Sequence, residues 1–348
     1  MSTATTGGTG AMTGVVRIHA YGGPEVLKFE ELPIGEPGPG EVRVRIQAIG
    51  LNRAEAAFRS GNYIEKAQLP ARLGYEASGV IEALGSGVEG FVNGEAVCVI
   101  PAFSMNRYGV YAEQAIVPAN AIVKRPPGLS DTEAAAVWMP YLTAYGALMD
   151  ICQVERGDAV VITAASSSVG LAAIQIANSV GALPIAVTRS AAKRAGLLAA
   201  GAAHVIVTAE TDVAPEVMRI TGDRGARMVF DPVGGPGIPA LAAALAPGGV
   251  LVLYGNLSGE AHQTPFPFGL ALGKGLSLRG YLVFEIIRDL QRFAHAEAFI
   301  RAGLQAGTLK PAIAKVFPFE QIVDAHRYLE ANQQLGKVVV AVTAAHRD

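Results

Sequence analysis

Apolar and polar positions change their rhythm partway along the chain. From Val15 to about Val123 the apolar runs are short. In Val42–Ile49 (VRVRIQAI) they alternate with a period of two, the pattern of a strand with one buried face. Turn residues punctuate these runs at Gly22-Gly23-Pro24 and Gly35–Gly40, then at Gly74, Gly79, Gly85, Gly87, Gly90 and Gly94. Such spacing suits a small barrel whose corners need backbone freedom, so this half is predicted to be β-rich with few helices.

After Pro126-Pro127-Gly128 the rhythm lengthens. Ser130-Asp131-Thr132-Glu133 form a capping box ahead of an Ala-rich segment, which predicts a helix start and places the passage between domains nearby. Apolar Ala159–Ala165, a Ser/Gly turn, helical Val169–Val180, apolar Pro184–Val187, helical Ala191–Ala200 and apolar His204–Val207 then follow in turn. Strands are further expected at Met228-Val229-Phe230, Val250–Tyr254 and Leu276–Phe284, with a helix near Ile238–Leu245. Alternation of this kind predicts βαβ units and a parallel sheet of six strands. A helical run to about Ala306, an extended Pro311–Phe317, a helix over Glu320–Asn332 and a strand over Lys337–Val342 complete the pattern. The fold class is α/β, a doubly wound parallel sheet plus a β-rich domain.

Composition narrows the function. With 348 residues and 51% hydrophobic content the chain is long enough for two cores. A net charge of −2 supplies no basic field, so nucleic acid is not an expected partner and small molecules are. Cys98 and Cys152 stand far apart without Cys/His clustering, which argues against a disulfide framework or a structural zinc and fits a cytoplasmic setting. Met1–Met12 (MSTATTGGTGAM) is small, polar and Gly-rich and is expected to be a disordered tail. Apolar runs such as Gly249–Gly255 fall well short of the roughly 20 residues of a membrane helix.

The most informative segment is Val160–Gln175, an apolar strand, a tight turn of small residues and an amphipathic helix. A pyrophosphate can settle on such a helix N-terminus, where unpaired N–H groups and the dipole favour negative charge, which makes Ser166, Ser167, Ser168, Val169 and Gly170 the candidate cradle. An ordinary strand–turn–helix with a Ser-rich turn is the alternative. About 20 residues on, an NAD-binding site usually places an acid on the adenosine ribose. Here the chain reads Thr188-Arg189-Ser190-Ala191-Ala192-Lys193-Arg194. Arg189, Lys193 and Arg194, helped by the Thr188 and Ser190 hydroxyls, suit a 2′-phosphate, so NADPH is the expected cofactor. A solvated helix face is the other reading for Lys193 and Arg194.

Further segments fall in a telling order: Tyr21–Leu27 (YGGPEVL), Leu73–Ile81 (LGYEASGVI), Leu142-Thr143-Ala144-Tyr145, the strand–turn–helix, Asp231-Pro232-Val233-Gly234-Gly235, Leu245–Tyr254 and Gly336-Lys337-Val338-Val339. Together they resemble the zinc-independent quinone oxidoreductase branch of the medium-chain dehydrogenase/reductase superfamily, over essentially Val15 to Val342. The resemblance implies a GroES-like β-rich catalytic domain, 13–135 with 311–348, closing on a Rossmann cofactor-binding domain, 136–310, and homodimers. It also carries over Thr143 near the nicotinamide, Val233, Tyr254, Gly255 and Asn256 at the cofactor riboses, and Lys337. Zinc-containing relatives have a Cys where this chain has Asn52 and a His where it has Tyr75, and the cysteine-rich lobe has no counterpart, so no metal is expected. The phosphate turn departs from the family's usual Gly-Gly, reading Ser167-Ser168.

Without a Lewis acid, the implied chemistry is hydride delivery from NADPH to an already electrophilic small molecule, a quinone or an enone. The oxygen that gains charge needs hydrogen-bond donors, for which Asn52, Tyr63 and Arg53 are candidates, with Asn52 and Tyr63 foremost. Tyr63 as a loop aromatic covering the cleft, and Asn52 as a turn residue satisfying backbone groups, are the plainer readings. His19, His204, His262, His295, His326 and His346 share no ligand spacing and are expected to be structural, mostly at surface turns or helix faces. A 2-alkenal or enoyl C=C reductase is the alternative enzyme. A non-catalytic NADPH-binding redox sensor or structural protein is the alternative of another class.

Overall fold

The structure, a computed structural model, describes residues 11–342. The tail expected over residues 1–12 lies outside this range as far as position 10, but Met12 is not part of a tail. It opens β1 (Met12–Ile18), which pairs antiparallel with β2 (Leu27–Pro33), Met12 opposite Pro33. Two compact units divide the chain. One holds the residues up to Trp138 with Ile313–Gln334 and the residues from Val338 on, and the other holds Met139–Ala312 and Leu335–Lys337.

In the first unit β1 pairs on its other side with β4 (Ala71–Arg72). A larger sheet is built on β3 (Glu41–Gly50), which pairs antiparallel with β5 (Ala77–Leu84), β7 (Gln114–Pro118) and the late strand β16 (Lys337–Ala341). β6 (Ala96–Val99) and β8 (Ile122–Lys124) extend it beyond β5, and β15 (Ile313–Pro318) lies beyond β16. The alternation along β3 is what the period of two predicts, since Val42, Val44, Ile46 and Ala48 are buried and the residues between them half-buried. Gly79 is required where β5 meets β3, because a Cβ there would lie 2.3 Å from the Arg45 carbonyl oxygen. The β-rich half also contains a helix, Arg53–Arg59.

The second unit is a parallel sheet of β9 (Ala159–Ile162), β10 (Leu183–Thr188), β11 (His204–Val207), β12 (Ala226–Asp231), β13 (Leu245–Leu253) and β14 (Ser277–Gly280). Its spatial order is β11-β10-β9-β12-β13-β14, the doubly wound Rossmann order. β9 is buried along its whole length, as a central parallel strand covered on both faces must be, which is why it reads as an unbroken apolar run. Val161, Ile185, Val187, Ile206, Val229 and Leu251 share one core cluster. The order reverses between β9 and β12, so the crevice that suits a ligand lies beyond the carboxyl ends of these two strands. The strand expected over Leu276–Phe284 is shorter, and Phe284–Ile287 is a helical turn. Among the described residues no helix is long and apolar enough to cross a membrane.

Candidate functional site

At the switch point β9 runs through Thr163-Ala164-Ala165-Ser166-Ser167 into the helix Ser168–Ser179. Ala164 holds a left-handed φ of 45°, a conformation costly for an L side chain. Ser167 caps the helix, its Oγ accepting from the Gly170 N–H at 3.0 Å. Gly170 allows the first helical turn to close on the loop, since a Cβ there would lie 2.5 Å from the Ala165 carbonyl oxygen. The N–H groups of Ser168 and Val169 are ones that helix geometry itself leaves without a partner, the kind of helix start that suits an anion. Gly336 adds a strap that sequence reasoning did not foresee, its N–H donating to the Ser166 carbonyl at 2.9 Å. Lys337 beside it is buried, its N–H bonded to the Ala312 carbonyl.

Beyond β10, the Thr188 hydroxyl accepts from the Ser190 N–H at 3.3 Å. Lys193 Nζ donates to Ser166 Oγ at 2.7 Å, which brings two of the predicted cofactor residues into contact. Burial, with the Arg189 charge nearby, lowers the Lys193 ammonium below its ordinary range. Arg194 instead pairs with Glu210, so this cation already has a carboxylate partner.

The end of β12 forms the other side of the crevice. The Asp231 carboxylate accepts from the Val233 and Gly234 N–H groups at 3.1 and 2.7 Å and from the Thr163 hydroxyl. Burial raises this acid despite those donors. Asp231 thereby knits the β9 and β12 turns together, a task its place in the motif did not reveal. Tyr254 stacks on Phe230 with ring centroids 4.1 Å apart, and Asn256 Oδ1 accepts from the Ala261 N–H at 2.9 Å. Gly255 admits the Pro232 carbonyl, which a Cβ would meet at 2.8 Å. The Thr143 hydroxyl donates to the Met139 carbonyl at 2.6 Å. One turn later the helix widens into a π-helix, Gly146–Ile151, where the Tyr281 hydroxyl donates to the Leu142 carbonyl at 3.2 Å.

The substrate-side candidates lie in the β-rich unit. Asn52 is the N-cap of Arg53–Arg59 in a capping box with Glu55. Its side-chain amide donates to the Gly50 carbonyl at 3.0 Å and to Glu55 Oε1 at 3.3 Å, so both amide hydrogens have acceptors within the protein. Glu55, fully buried and absent from the expected set, also receives the Asn52 and Tyr75 N–H groups at 2.9 and 3.0 Å. Arg53 reaches the Leu329 carbonyl at 2.7 Å and Asn332, which ties it to another helix. Tyr63 is half-buried, set edge-on to Phe58 and tilted against Tyr75. Burial pushes its phenol up to about 12, and a hydrogen bond shared with Tyr75 works against that rise. The two positions that hold zinc ligands in zinc-containing relatives are thus occupied by an amide bonded to Gly50 and Glu55 and by a buried aromatic ring. Among the described residues no group of three or more His, Cys, Asp or Glu is placed to hold a metal ion.

The surface expectation fails for His326, which is fully buried with Nε2 3.0 Å from the Tyr111 hydroxyl. His346 lies outside the described residues.

Residues 38–127 match the family model described as alcohol dehydrogenase GroES-like domain, and residues 168–299 the one described as zinc-binding dehydrogenase. A 2-haloacrylate reductase of a Burkholderia species is 29% identical over 327 residues, spanning 93% of this chain and 97% of that protein. Among solved structures, the Escherichia coli quinone oxidoreductase complexed with NADPH matches with a TM-score of 0.87 at 29% identity, over 94% of this chain and 99% of that one. An NAD-dependent alcohol dehydrogenase matches with a TM-score of 0.85 at 35% identity, over 95% and 100% of the two chains.

Proposed function

This chain belongs to the medium-chain dehydrogenase/reductase superfamily, in its zinc-independent quinone-oxidoreductase branch, and on that premise we propose that it is an NADPH-dependent reductase of quinones or similarly activated acceptors. The observation that carries the cofactor assignment is the contact of Lys193 Nζ with Ser166 Oγ, beside Arg189 and with no acidic side chain in the Thr188–Arg194 segment. A dinucleotide fits here: Gly170 lets the phosphate turn pack closely against a helix N-terminus, and the donor set at the ribose end is cationic. Ser168 and Val169 would hold the pyrophosphate, and Lys193, Arg189 and the Thr188 and Ser190 hydroxyls the 2′-phosphate. When bound, the nicotinamide supplies hydride to the acceptor.

The protein's own part is to meet the negative charge that grows on the acceptor's oxygen. A hydrogen-bond donor is worth most where that charge develops. Asn52 has its amide hydrogens engaged, so its role is to set the helix that starts at Arg53. Tyr63 is the donor, a phenol that stays protonated at neutral pH. A quinone or an enone suits such a site because the donor stabilises an oxyanion and need not remove a proton from an alcohol. The similarity to a 2-haloacrylate reductase favours the activated C=C bond as the second reading.

The test follows absorbance of NADPH and NADH against a panel of simple quinones, enals and alcohols. Expected is turnover with quinones or enals and tighter binding of NADPH. Lys193→Ala should weaken NADPH roughly tenfold or more and leave NADH nearly unchanged, since one charge-assisted bond contributes about 1.5–3 kcal/mol. Equal affinity for both cofactors would reverse the NADPH assignment. Tight binding with no turnover would support the sensor reading, and alcohol oxidation would overturn the activated-acceptor chemistry.

A further inference from the structure

A peptide group outside helix and strand must find its hydrogen-bond partners in side chains or water, and in the β-rich unit one side chain serves a whole segment. Residues 62–68, which follow the helix Arg53–Arg59 and carry Tyr63, belong to no helix or strand. A second irregular segment, residues 103–108, lies between β6 and β7, and Met105, only 1% exposed, roots it in the core. Asn106 joins the two. Its Nδ2 donates to Glu65 Oε1 at 3.0 Å and to the Lys66 carbonyl at 2.8 Å, while its Oδ1 accepts from the Gln68 N–H at 2.7 Å. This is a pattern that an amide supplies and a carboxylate cannot, since a carboxylate would set oxygen against the Glu65 carboxylate and the Lys66 carbonyl. Ser104 completes the clasp, its hydroxyl donating to Glu65 Oε1 and accepting from the Asn106 N–H at 3.1 Å. Each clasped segment also carries one half-buried ring. Tyr63 and Phe103 both pack on the buried Tyr75 ring, with centroids at 6.3 and 5.6 Å.

We propose that Asn106 is a positioning residue for the substrate: by locking the segment that carries Tyr63 to the one that carries Phe103, it fixes the spacing of these two rings and so the size of quinone or enone that they admit. Ring contacts alone are soft, because many offset and edge-on arrangements have similar energy, whereas directed hydrogen bonds hold one arrangement. This inference rests on the reading of Tyr63 as the group that meets the substrate's oxygen.

Asn106→Asp keeps the side-chain shape and turns two of the clasp's attractions into repulsions. It is assayed with a small and a large member of the most active substrate class, for quinones a single-ring benzoquinone and a three-ring phenanthrenequinone. The ratio of their kcat/KM values is expected to shift roughly fivefold or more toward the larger, because loosened rings no longer orient the small one and misplacement is costly to rate. KM for NADPH should change by about twofold at most, which separates a local shift from a general loss of structure. Adding Glu65→Gln to Asn106→Asp reverses the direction of the hydrogen bond between positions 65 and 106 and should bring back about half or more of the lost selectivity. Ser104→Ala removes one hydroxyl from the clasp, should move the ratio the same way by a smaller factor, and carries the test if melting curves show Asn106→Asp to be unfolded. A ratio unchanged in the single variants, or shifted with no recovery in the double variant, overturns the role of Asn106. Tyr63→Phe tests the reading beneath it. If that replacement lowers kcat while the ratio stays fixed in the clasp variants, Asn106 alone falls; if it leaves kcat unchanged, the Tyr63 reading falls and the proposal with it.

Discussion

At the scale of single residues, position was legible and task was not. Asn52 could be chosen from its motif, yet its work as a helix cap depends on Glu55 three residues on, a pairing that stood in the sequence as Asn-x-x-Glu. Tyr63 was found as a substrate-side aromatic, but its partner Tyr75 was seen only as a missing ligand, because a contact across 12 positions leaves no periodic trace. His326 shows the same limit. Its helix, Ile322–Glu330, is amphipathic, and the buried face includes the histidine because Tyr111 supplies a partner 215 positions away. Burial, with Arg59 and Arg53 close by, brings this imidazole down from its ordinary 6.5 to about 3. The unfolded chain therefore binds a proton that the folded chain refuses between those values, and stability is lost as pH falls through that window. The slope is at most about 1.4 kcal/mol per pH unit. Urea unfolding from pH 7 to pH 5 should show the loss, and His326→Gln should flatten it; equal slopes in both proteins would remove His326 as its source.

Among the elements, the strand–turn–helix at the switch point was readable because sterics confine it to small residues. Gly170 is the element's tightest point. Gly170→Ala would press a methyl group on the Ala165 carbonyl and shift the turn away from the helix N-terminus. Dinucleotide affinity should fall roughly tenfold or more, the value of one lost charge-assisted bond, as read by fluorescence titration. Unchanged affinity would show that the turn can relax. The helix Val213–Thr221 escaped notice, although Asp212 stands at its N-cap position, Gly222 ends it in a left-handed conformation, and Val213, Val217 and Ile220 recur at helical spacing. Pro215 lies in its first turn, where a missing N–H costs nothing. The π-helix at Gly146–Ile151 had no signature, and the Tyr281 hydroxyl that bonds the Leu142 carbonyl just before it comes from more than 130 residues downstream.

For the molecule as a whole, the fold class was legible because two different hydrophobic periods need two kinds of core. Assembly is harder to read. Among the described residues β14 ends its sheet, and Phe266, Phe268 and Leu272 stand 62%, 68% and 74% exposed nearby in the chain. An open strand edge with apolar neighbours suits self-association through a two-fold axis, so a homodimer is expected, its mass readable by light scattering. Leu272→Lys should shift it toward monomer, and a monomeric wild-type protein would dismiss the idea. The return of β16 to β3, Val339 beside Gly50, concerns how the protein is made. Ribosomal synthesis delivers that edge of β3 nearly 290 residues before its partner. During translation the nascent chain therefore carries an uncovered edge at Ala48–Gly50 of β3 until residues made much later reach it, and cells with weakened chaperones should accumulate it as aggregate before its release.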